Sequence, residues 1–489
     1  MEQETVLHIE GTVEQVLYRN EQNGYTVLDL DANGTLITVV GELGDVEEGE
    51  QLSVDGTYVN HIRFGVQFQA QYVERKLPED AVNIQRYLSS GVIKGIGSAL
   101  AKKIVTAFGS QTLEIMEKQP TRLMEIRGIS PKKCEAIAQE VQKIFALRSL
   151  MLFLQQYNIR SRYAMRAYQC YGSGAKEMIL ANPYLLCGMG IELPFEKAEV
   201  LADDLKVPKN AEQRILAGTC YILEHNTHNG YTCLPLDRLQ PKVCEYLQVS
   251  ESEFLSAYQA AQKEGNLVSY QKGTREFVYL PAYYEAEQYI ADRIGVLRDF
   301  SAPEDQEIYL DLIKREETEQ GIQYAELQRK AILSALSRGL LILTGGPGTG
   351  KTTTLNGMIS LFEKQGYQVM LAAPTGRAAQ RISDLTGYEA KTIHRLLEVE
   401  FDMAGATKFR HNESNPLTCD VMIVDEMSMV DVLLFESLLR ALRFSCKLIM
   451  VGDSDQLPSV GAGNVLKDLI DSEQVPVVAL NQIFRQAQQ

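Results

Sequence analysis

No apolar run in this 489-residue chain approaches the roughly 20 residues that a membrane-spanning helix needs. The first residues, Met1-Glu2-Gln3-Glu4, are acidic and lack the apolar core of a signal peptide. None of the eight cysteines (134, 170, 187, 220, 233, 244, 419 and 446) form a C-x-x-C pair, so neither a zinc site nor a disulfide framework is indicated. Reduced thiols in a cytoplasm are the simplest expectation. Basic residues are scarce as well: 48 Lys and Arg stand against 64 Asp and Glu, a net charge of −16. The deficit is uneven. Residues 1–80 carry 4 basic and 16 acidic residues, whereas residues 84–170 carry 14 basic residues and 5 glutamates. A basic block inside an acidic protein is the footprint of a localised polyanion site, although a solvated helical surface gives the same charge count.

The strongest positive signal is Gly345-Gly346-Pro347-Gly348-Thr349-Gly350-Lys351-Thr352, which fits the phosphate-loop pattern G-x-x-x-x-G-K-[ST]. The apolar run Leu340–Leu343 before it reads as a buried parallel strand, and Thr352 to Phe362 after it as a helix. A glycine-rich turn with a chance lysine would have neither neighbour. The glycines let backbone N–H groups turn inward around phosphates, and the helix N-terminus adds positive potential. Lys351 is expected to reach the β- and γ-phosphates and Thr352 to ligate Mg²⁺, with Thr353 beside them. The nucleotide set is therefore 345–353.

Val421-Met422-Ile423-Val424-Asp425-Glu426 is an apolar strand ending in two carboxylates. An Asp-Glu pair after a strand is often only a solvated strand end. Behind a phosphate loop it is the expected second half of the site, with Asp425 on Mg²⁺ and Glu426 orienting or deprotonating water. In Gly452-Asp453-Ser454-Asp455-Gln456-Leu457-Pro458, Gln456 can sense the γ-phosphate or lytic water, unless the segment is merely an Asp-rich turn.

The rest of the chain divides by pattern. Residues 1–80 hold five short strands (Val6–Val13, Tyr25–Leu30, Leu36–Gly41, Gln51–Tyr58, Val66–Val73) and read as a small OB- or SH3-like β-barrel. Its acidity favours a structural or protein-contact role. Residues 81–205 read as an all-α domain with two helix-hairpin-helix turns. One runs through Gly95-Ile96-Gly97 to Lys102 and Lys103, the other through Gly128-Ile129-Ser130 to Lys132 and Lys133. The turns lie 33 residues apart and both lead to Lys-Lys, so DNA-backbone binding through helix N-termini is expected. Residues 206–285 read as three helices and a hairpin, the order of a winged helix, and 286–320 as a polar helical connector. From 321 to 489, strands alternate with helices as in an α/β domain with a parallel sheet.

Several segments resemble, in order, the motifs of superfamily 1 DNA helicases of the RecD type, which move 5′→3′. Gln328 resembles the adenine-reading glutamine ahead of the loop. Pro374-Thr375-Gly376-Arg377 resembles a single-strand contact motif, and Thr392-Ile393-His394 the segment after it. Asp425-Glu426 and the Gly452–Pro458 stretch resemble two further motifs, and Asn481-Gln482-Ile483-Phe484-Arg485-Gln486 a fourth, whose arginine contacts the γ-phosphate. The resemblance implies a RecA-like motor domain that uses ATP and Mg²⁺ on single-stranded DNA and at fork or duplex junctions, in repair or recombination. It also implies a short pin at about 398–417, with Phe401 and Phe409 meeting the duplex, although an ordinary loop with a buried aromatic fits those residues too. A monomer is expected, and no protein partner is identified.

Two departures from that pattern stand out. Where a further hairpin belongs, Gly190-Ile191-Glu192-Leu193-Pro194 replaces the glycine turn, so a structural element is expected there. The sequence also stops four residues after Arg485, where the family continues into a second RecA-like domain. Slow hydrolysis and poor unwinding are the corresponding expectation. A nucleotide-gated DNA-binding adaptor that never translocates remains the alternative reading.

Overall fold

Period-two alternation between Leu7 and Lys76 produces a closed barrel. Its strands are β1 (Leu7–Arg19), β2 (Tyr25–Ala32), β3 (Thr35–Glu42), β4 (Gln51–His61) and β5 (Gly65–Lys76), in the order β1-β2-β3-β5-β4. Neighbours pair antiparallel except β3 with β5, which pair parallel. Val13, Leu28, Leu30, Val39, Val54 and Phe68 fill the interior. β1 runs past the expected end at Val13. Register shifts between Val13 and Gln15 and between Val16 and Tyr18 let it bend around the barrel.

This barrel and the helices after it form one unit of the computed structural model, residues 1–207 with 401–406; residues 208–400 and 407–489 form the other. The structure describes residues 7–20, 25–32, 34–43, 46–61, 64–299, 306–401, 407–453, 456 and 459–481.

The helical region contains a repeat. The helix Ser98–Phe108, the turn Gly109–Gln111, the helix Thr112–Lys118 and the turn Pro120–Glu125 lead to the long helix Pro131–Gln155. The same series recurs as Ser161–Tyr171, Gly172–Gly174, Ala175–Ala181 and Pro183–Cys187, leading to Phe195–Asp204. Gly109 and Gly172 end the equivalent helices with closely similar backbone angles, φ 57° and 65°. The repeat was hidden because its two copies share few residue types beyond these glycines and the paired Pro120 and Pro183.

The second unit opens with the helix Glu212–Thr227, strand β6 (Cys233–Pro235), the helices Leu236–Leu247 and Glu251–Lys263, then β7 (Val268–Lys272) and β8 (Arg275–Tyr279). The sheet order is β6-β8-β7, all antiparallel. The three helices and the hairpin follow the expected segments, and β6 is the addition.

The parallel sheet is built from β9 (Leu340–Gly345), β10 (Val369–Ala373), β11 (Ala390–Thr392), β14 (Val421–Val424), β15 (Lys447–Gly452) and β16 (Val477–Leu480). Its order is β11-β10-β14-β15-β9-β16, and every neighbouring pair is parallel. β12 (Val399–Phe401) and β13 (Thr407–Phe409) form a separate two-stranded ribbon at the expected pin.

The segment read as a polar connector is part of the parallel-sheet domain. Ala286, Ile290, Ile294 and Leu297 of the helix Pro281–Asp299 join the core on one face of the sheet. Ile313 of the helix Gln306–Gln320 joins the core on the other. Buried polar groups fix both helices. Arg293 donates to the carbonyls of Leu442 and Arg443 at 3.1 and 2.6 Å and stacks 4.1 Å over the Phe444 ring. Glu316 accepts from Ser360 Oγ and Lys364 Nζ, each at 2.6 Å. Buried charges of this kind hide an apolar face from a composition count.

Candidate functional site

Strand β9, buried from Leu340 to Leu343, delivers the phosphate loop to the carboxyl end of the sheet, where open α/β sheets place their ligands. Gly348 and Gly350 take φ of +77° and +84°, the left-handed region that side chains resist, so the loop can turn its N–H groups inward. Thr349 Oγ1 donates to the Gly346 carbonyl at 2.8 Å and braces the turn. Lys351 and Thr352 open the helix Lys351–Lys364, half-buried, while Thr353 and Pro347 are exposed. Lys351 Nζ donates to the Gly345 carbonyl at 2.5 Å, which holds the ammonium over the cradle.

β15 lies between β9 and β14. Two strand spacings, about 10 Å, therefore separate the loop from Asp425-Glu426, room for phosphates and a water between them. Asp425 leaves β14 with its N–H donated to the Ala372 carbonyl at 2.9 Å. Burial pushes its carboxyl above the usual carboxylate range and the Glu426 charge adds to this, while Lys351 and Arg381 pull it back. A buried carboxylate facing an ammonium suits a divalent cation, which would replace the lost hydration. Among the described residues no cluster of three His, Cys, Asp or Glu could hold a metal alone. Glu426 sits at φ +51° with its carboxylate 3.7 Å from Arg381.

Gln328 is buried. Its carbonyl accepts from Ala325 N–H at 2.9 Å and its amide donates to the Gly350 carbonyl at 3.4 Å. It thus ties the helix Glu326–Ser337 to the loop, and in this conformation the amide faces the loop. Gln456 is exposed, its N–H donated to the Asp453 carbonyl at 3.2 Å. Ser454, Asp455, Leu457, Pro458 and Arg485 lie outside the described residues.

Two residues near the site escaped sequence reasoning. Arg381 had no motif to mark it, only its place one helical turn beyond Arg377. Ser428, in the turn after Glu426, is 5% exposed and its hydroxyl has no hydrogen-bond partner among the described residues.

The expected single-strand contacts sit at helix starts beyond β10 and β11. Thr375 Oγ1 accepts from Ala378 N–H and Thr392 Oγ1 from Arg395 N–H, both at 3.2 Å, so both threonines cap helices. Gly376, Arg377 and His394 are exposed, and Pro374 is half-buried. In the ribbon, Phe409 packs on the ATPase core and its ring lies 6.0 Å from that of His394.

In the other unit the two expected hairpins have one geometry. Gly95 and Gly128 take φ of +94° and +110°. The isoleucines flanking each glycine are buried, and Ile96 and Ile129 each donate to the carbonyl three residues back, at 3.1 Å. Gly97 and Ser130 begin the following helices. Lys102, Lys103 and Lys132 are exposed, and Lys133 is half-buried.

A turn the sequence reading missed lies at Asn158, φ +55°, followed by buried Ile159 and the helix at Ser161. Asparagine tolerates the left-handed region without leaving a glycine to find. The segment at Gly190 is a fourth turn, φ +86°, with Ile191 donating to the Gly188 carbonyl at 3.2 Å. Glu192 and Leu193 are then inserted ahead of Pro194, which begins the helix Phe195–Asp204.

These features have counterparts among known proteins. Residues 6–78 match the model of the "ATP-dependent DNA helicase YrrC, OB-fold domain", and 86–143 that of the "SAM-like Helix-hairpin-helix tandem". Residues 143–233 match the "ATP-dependent RecD2 DNA helicase HHH domain" and 328–462 an "AAA domain". The chain is similar to RecD-type helicases. It is 29% identical to the ATP-dependent RecD2 DNA helicase of Deinococcus radiodurans, over 98% of this chain and 68% of that protein. It is 44% identical to the RecBCD enzyme subunit RecD of Mycolicibacterium smegmatis over 30% of each chain. With RecD of Haemophilus influenzae the identity is 31%, over 51% of this chain and 40% of the other. The solved Pif1 helicase from Candida albicans covers 34% of this chain and 41% of its own at 27% identity, with a TM-score of 0.26. A score that low carries no argument about fold. Among the described residues no helix is long and apolar enough to cross a membrane.

Proposed function

We propose that this chain is an ATP-dependent DNA helicase of the RecD type, acting 5′→3′ in repair or recombination. The observation that carries the reading is the pairing of the phosphate loop with Asp425-Glu426 across β15, on a chain that also holds two lysine-bearing hairpins. Lys351 and the loop N–H groups bind and orient the triphosphate, and Thr352 and Asp425 hold the cation. Mg²⁺, when bound, neutralises charge on the transferring phosphoryl group. Glu426 positions the attacking water and takes its proton, and Gln456 reports whether the γ-phosphate is present. The exposed Gly376, Arg377 and His394 meet the translocating strand, while the hairpins at Gly95 and Gly128 grip duplex or fork phosphates. ATP turnover is the sharper signal. Single-stranded DNA is expected to raise Mg²⁺-dependent turnover, and a duplex with a 5′ tail to be displaced faster than one with a 3′ tail. Turnover indifferent to DNA contradicts the motor reading and favours a nucleotide-gated adaptor. Preference for the 3′ tail contradicts the direction alone.

A further inference from the structure

The helix Gly376–Thr386 has two unlike faces. Ala378, Ala379 and Ile382 are buried, while Arg377, Gln380, Arg381 and Asp384 are exposed. Residues four apart on a helix stand side by side, so Arg377 and Arg381 form one basic pair on the outer face. The helix follows β10, whose parallel neighbour β14 carries Asp425-Glu426, so both leave the sheet at the same end. Among the described residues Arg377 has no ion pair, and the one that Arg381 makes is with Glu426. Arg381 Nη1 lies 3.7 Å from Glu426 Oε1, with the arginine side chain 71% exposed and the glutamate 22%. One helix therefore presents an arginine to the expected strand and, a turn later, an arginine to the carboxylate placed above on the attacking water.

We propose that Arg381 is a latch on Glu426 that single-stranded DNA releases. With the guanidinium at Oε1, the carboxylate is not free to accept from the water. A strand lying along Arg377 brings phosphates to the same helix face, and Arg381 exchanges the carboxylate for a phosphate oxygen. Glu426 then turns to the water, so turnover rises only when there is a strand to move on. The strength of the contact makes this exchange feasible. At 3.7 Å the pair is longer than a hydrogen bond, and an ion pair with one partner in solvent contributes a factor of about five or less. A guanidinium on a phosphate gains charge-assisted hydrogen bonds and counterion release. A buried, hydrogen-bonded pair would resist such a ligand. Arg381 is on this account a positioning residue, acting through Glu426. The inference rests on the helicase reading above and gives DNA stimulation of turnover a named residue.

The test uses the full chain and Mg-ATP, with turnover measured with and without oligothymidylate. Arg381→Gln is expected to raise DNA-free turnover by about two- to fivefold, the factor that an exposed ion pair supplies, and to shrink the stimulation ratio in proportion. KM for ATP should stay at the parent value, whereas loss of an arginine that contacts nucleotide would raise it. Arg381→Lys keeps a cation opposite Glu426 and should restore the low DNA-free rate. Binding of labelled oligothymidylate across a salt series is a readout apart from catalysis. There Arg381→Gln should flatten the slope of log K against log salt by about 0.7, one phosphate contact on a single strand. The side chain is largely exposed, and a thermal melt matching the parent checks the fold. DNA-free turnover at or below that of the parent, a stimulation ratio left intact, or an unchanged salt slope overturns the latch and leaves the helicase reading standing. Parent turnover indifferent to oligothymidylate overturns both.

Discussion

Ser98–Phe108 and Ser161–Tyr171 are equivalent helices in two copies of one scaffold, yet the surfaces at their turns differ in chemistry. In the first copy Gly95 and Gly128 open tight turns whose neighbouring cations, Lys102, Lys103 and Lys132, are exposed, and no ion pair involves them among the described residues. In the second copy Arg160, Arg162 and Arg166 are engaged by the protein. Arg162 lies 4.9 Å over the Tyr163 ring, and Arg160 is 4.0 Å from Glu42. Arg166 donates to the Ile191 carbonyl at 3.2 Å and sits 3.6 Å from Glu192, the residue inserted at the fourth turn. A helix-hairpin-helix backbone is thus a packing solution first. On the proposed reading it becomes a phosphate site where the turn is short and the cations beside it are left for a ligand.

The largest expected effect tests that contrast. Changing Lys102, Lys103, Lys132 and Lys133 to Ala should weaken fork-DNA binding by roughly ten- to a hundredfold and flatten its salt dependence by up to about one unit of slope per lost phosphate contact. Arg160→Ala with Arg162→Ala should change it less than about twofold. Equal losses from both sets, read by anisotropy, would erase the distinction between the copies. The turns themselves give a smaller effect. Nothing lies within 4 Å of a Cβ added at Gly128, so Gly128→Ala should cost stability through its φ of +110° alone, about 1–2 kcal/mol in a urea melt. Asn158→Gly keeps the left-handed turn and should stay within about 0.5 kcal/mol of the parent. A costly Asn158→Gly would mean that the asparagine side chain, not the backbone, makes that turn.

The smallest effect extends the comparison to the parallel-sheet domain, where Asp425 is half-buried. The Asp425 carboxyl is raised above its ordinary value of 3.8, so the folded state holds that proton more tightly than the unfolded one. Its contribution to stability is therefore present below 3.8 and lost as pH rises through the raised value. Asp425→Asn should stabilise the nucleotide-free chain at neutral pH by about 1 kcal/mol or less, a gain that shrinks as pH falls into the carboxylate range. The same variant should lose Mg²⁺-dependent turnover. A melting profile parallel to that of the parent at every pH would show that the burial of Asp425 carries no cost.

Legibility followed how local each signal was. The phosphate loop, Asp425-Glu426 and the turns at Gly95 and Gly128 could be read from a few consecutive residues, because backbone conformation demands the glycines and phosphate or cation chemistry demands the lysine and carboxylates. The Asn158 turn could not, since asparagine marks loops of many kinds. The helices beyond Pro281 looked like a connector because Arg293 and Glu316 are charged, and only tertiary partners show that both are buried. Lys447 misleads in the same way. It opens β15 almost fully buried, donating to the Leu336 and Arg338 carbonyls at 3.0 and 2.8 Å, and burial pushes its ammonium down to about 8. Gln328 was found by its position in the motif order, while its tie to the Gly350 carbonyl needed the structure.

The central claim is a division of labour: nucleotide at the carboxyl end of the parallel sheet, duplex and fork phosphates at the first pair of hairpins. Lys351→Ala tests it in one preparation, with ATP turnover and fork-DNA affinity measured side by side. The account predicts that DNA-stimulated turnover falls by roughly a hundredfold or more while fork affinity stays within about twofold of the parent. Fork affinity that falls in step with turnover would contradict it.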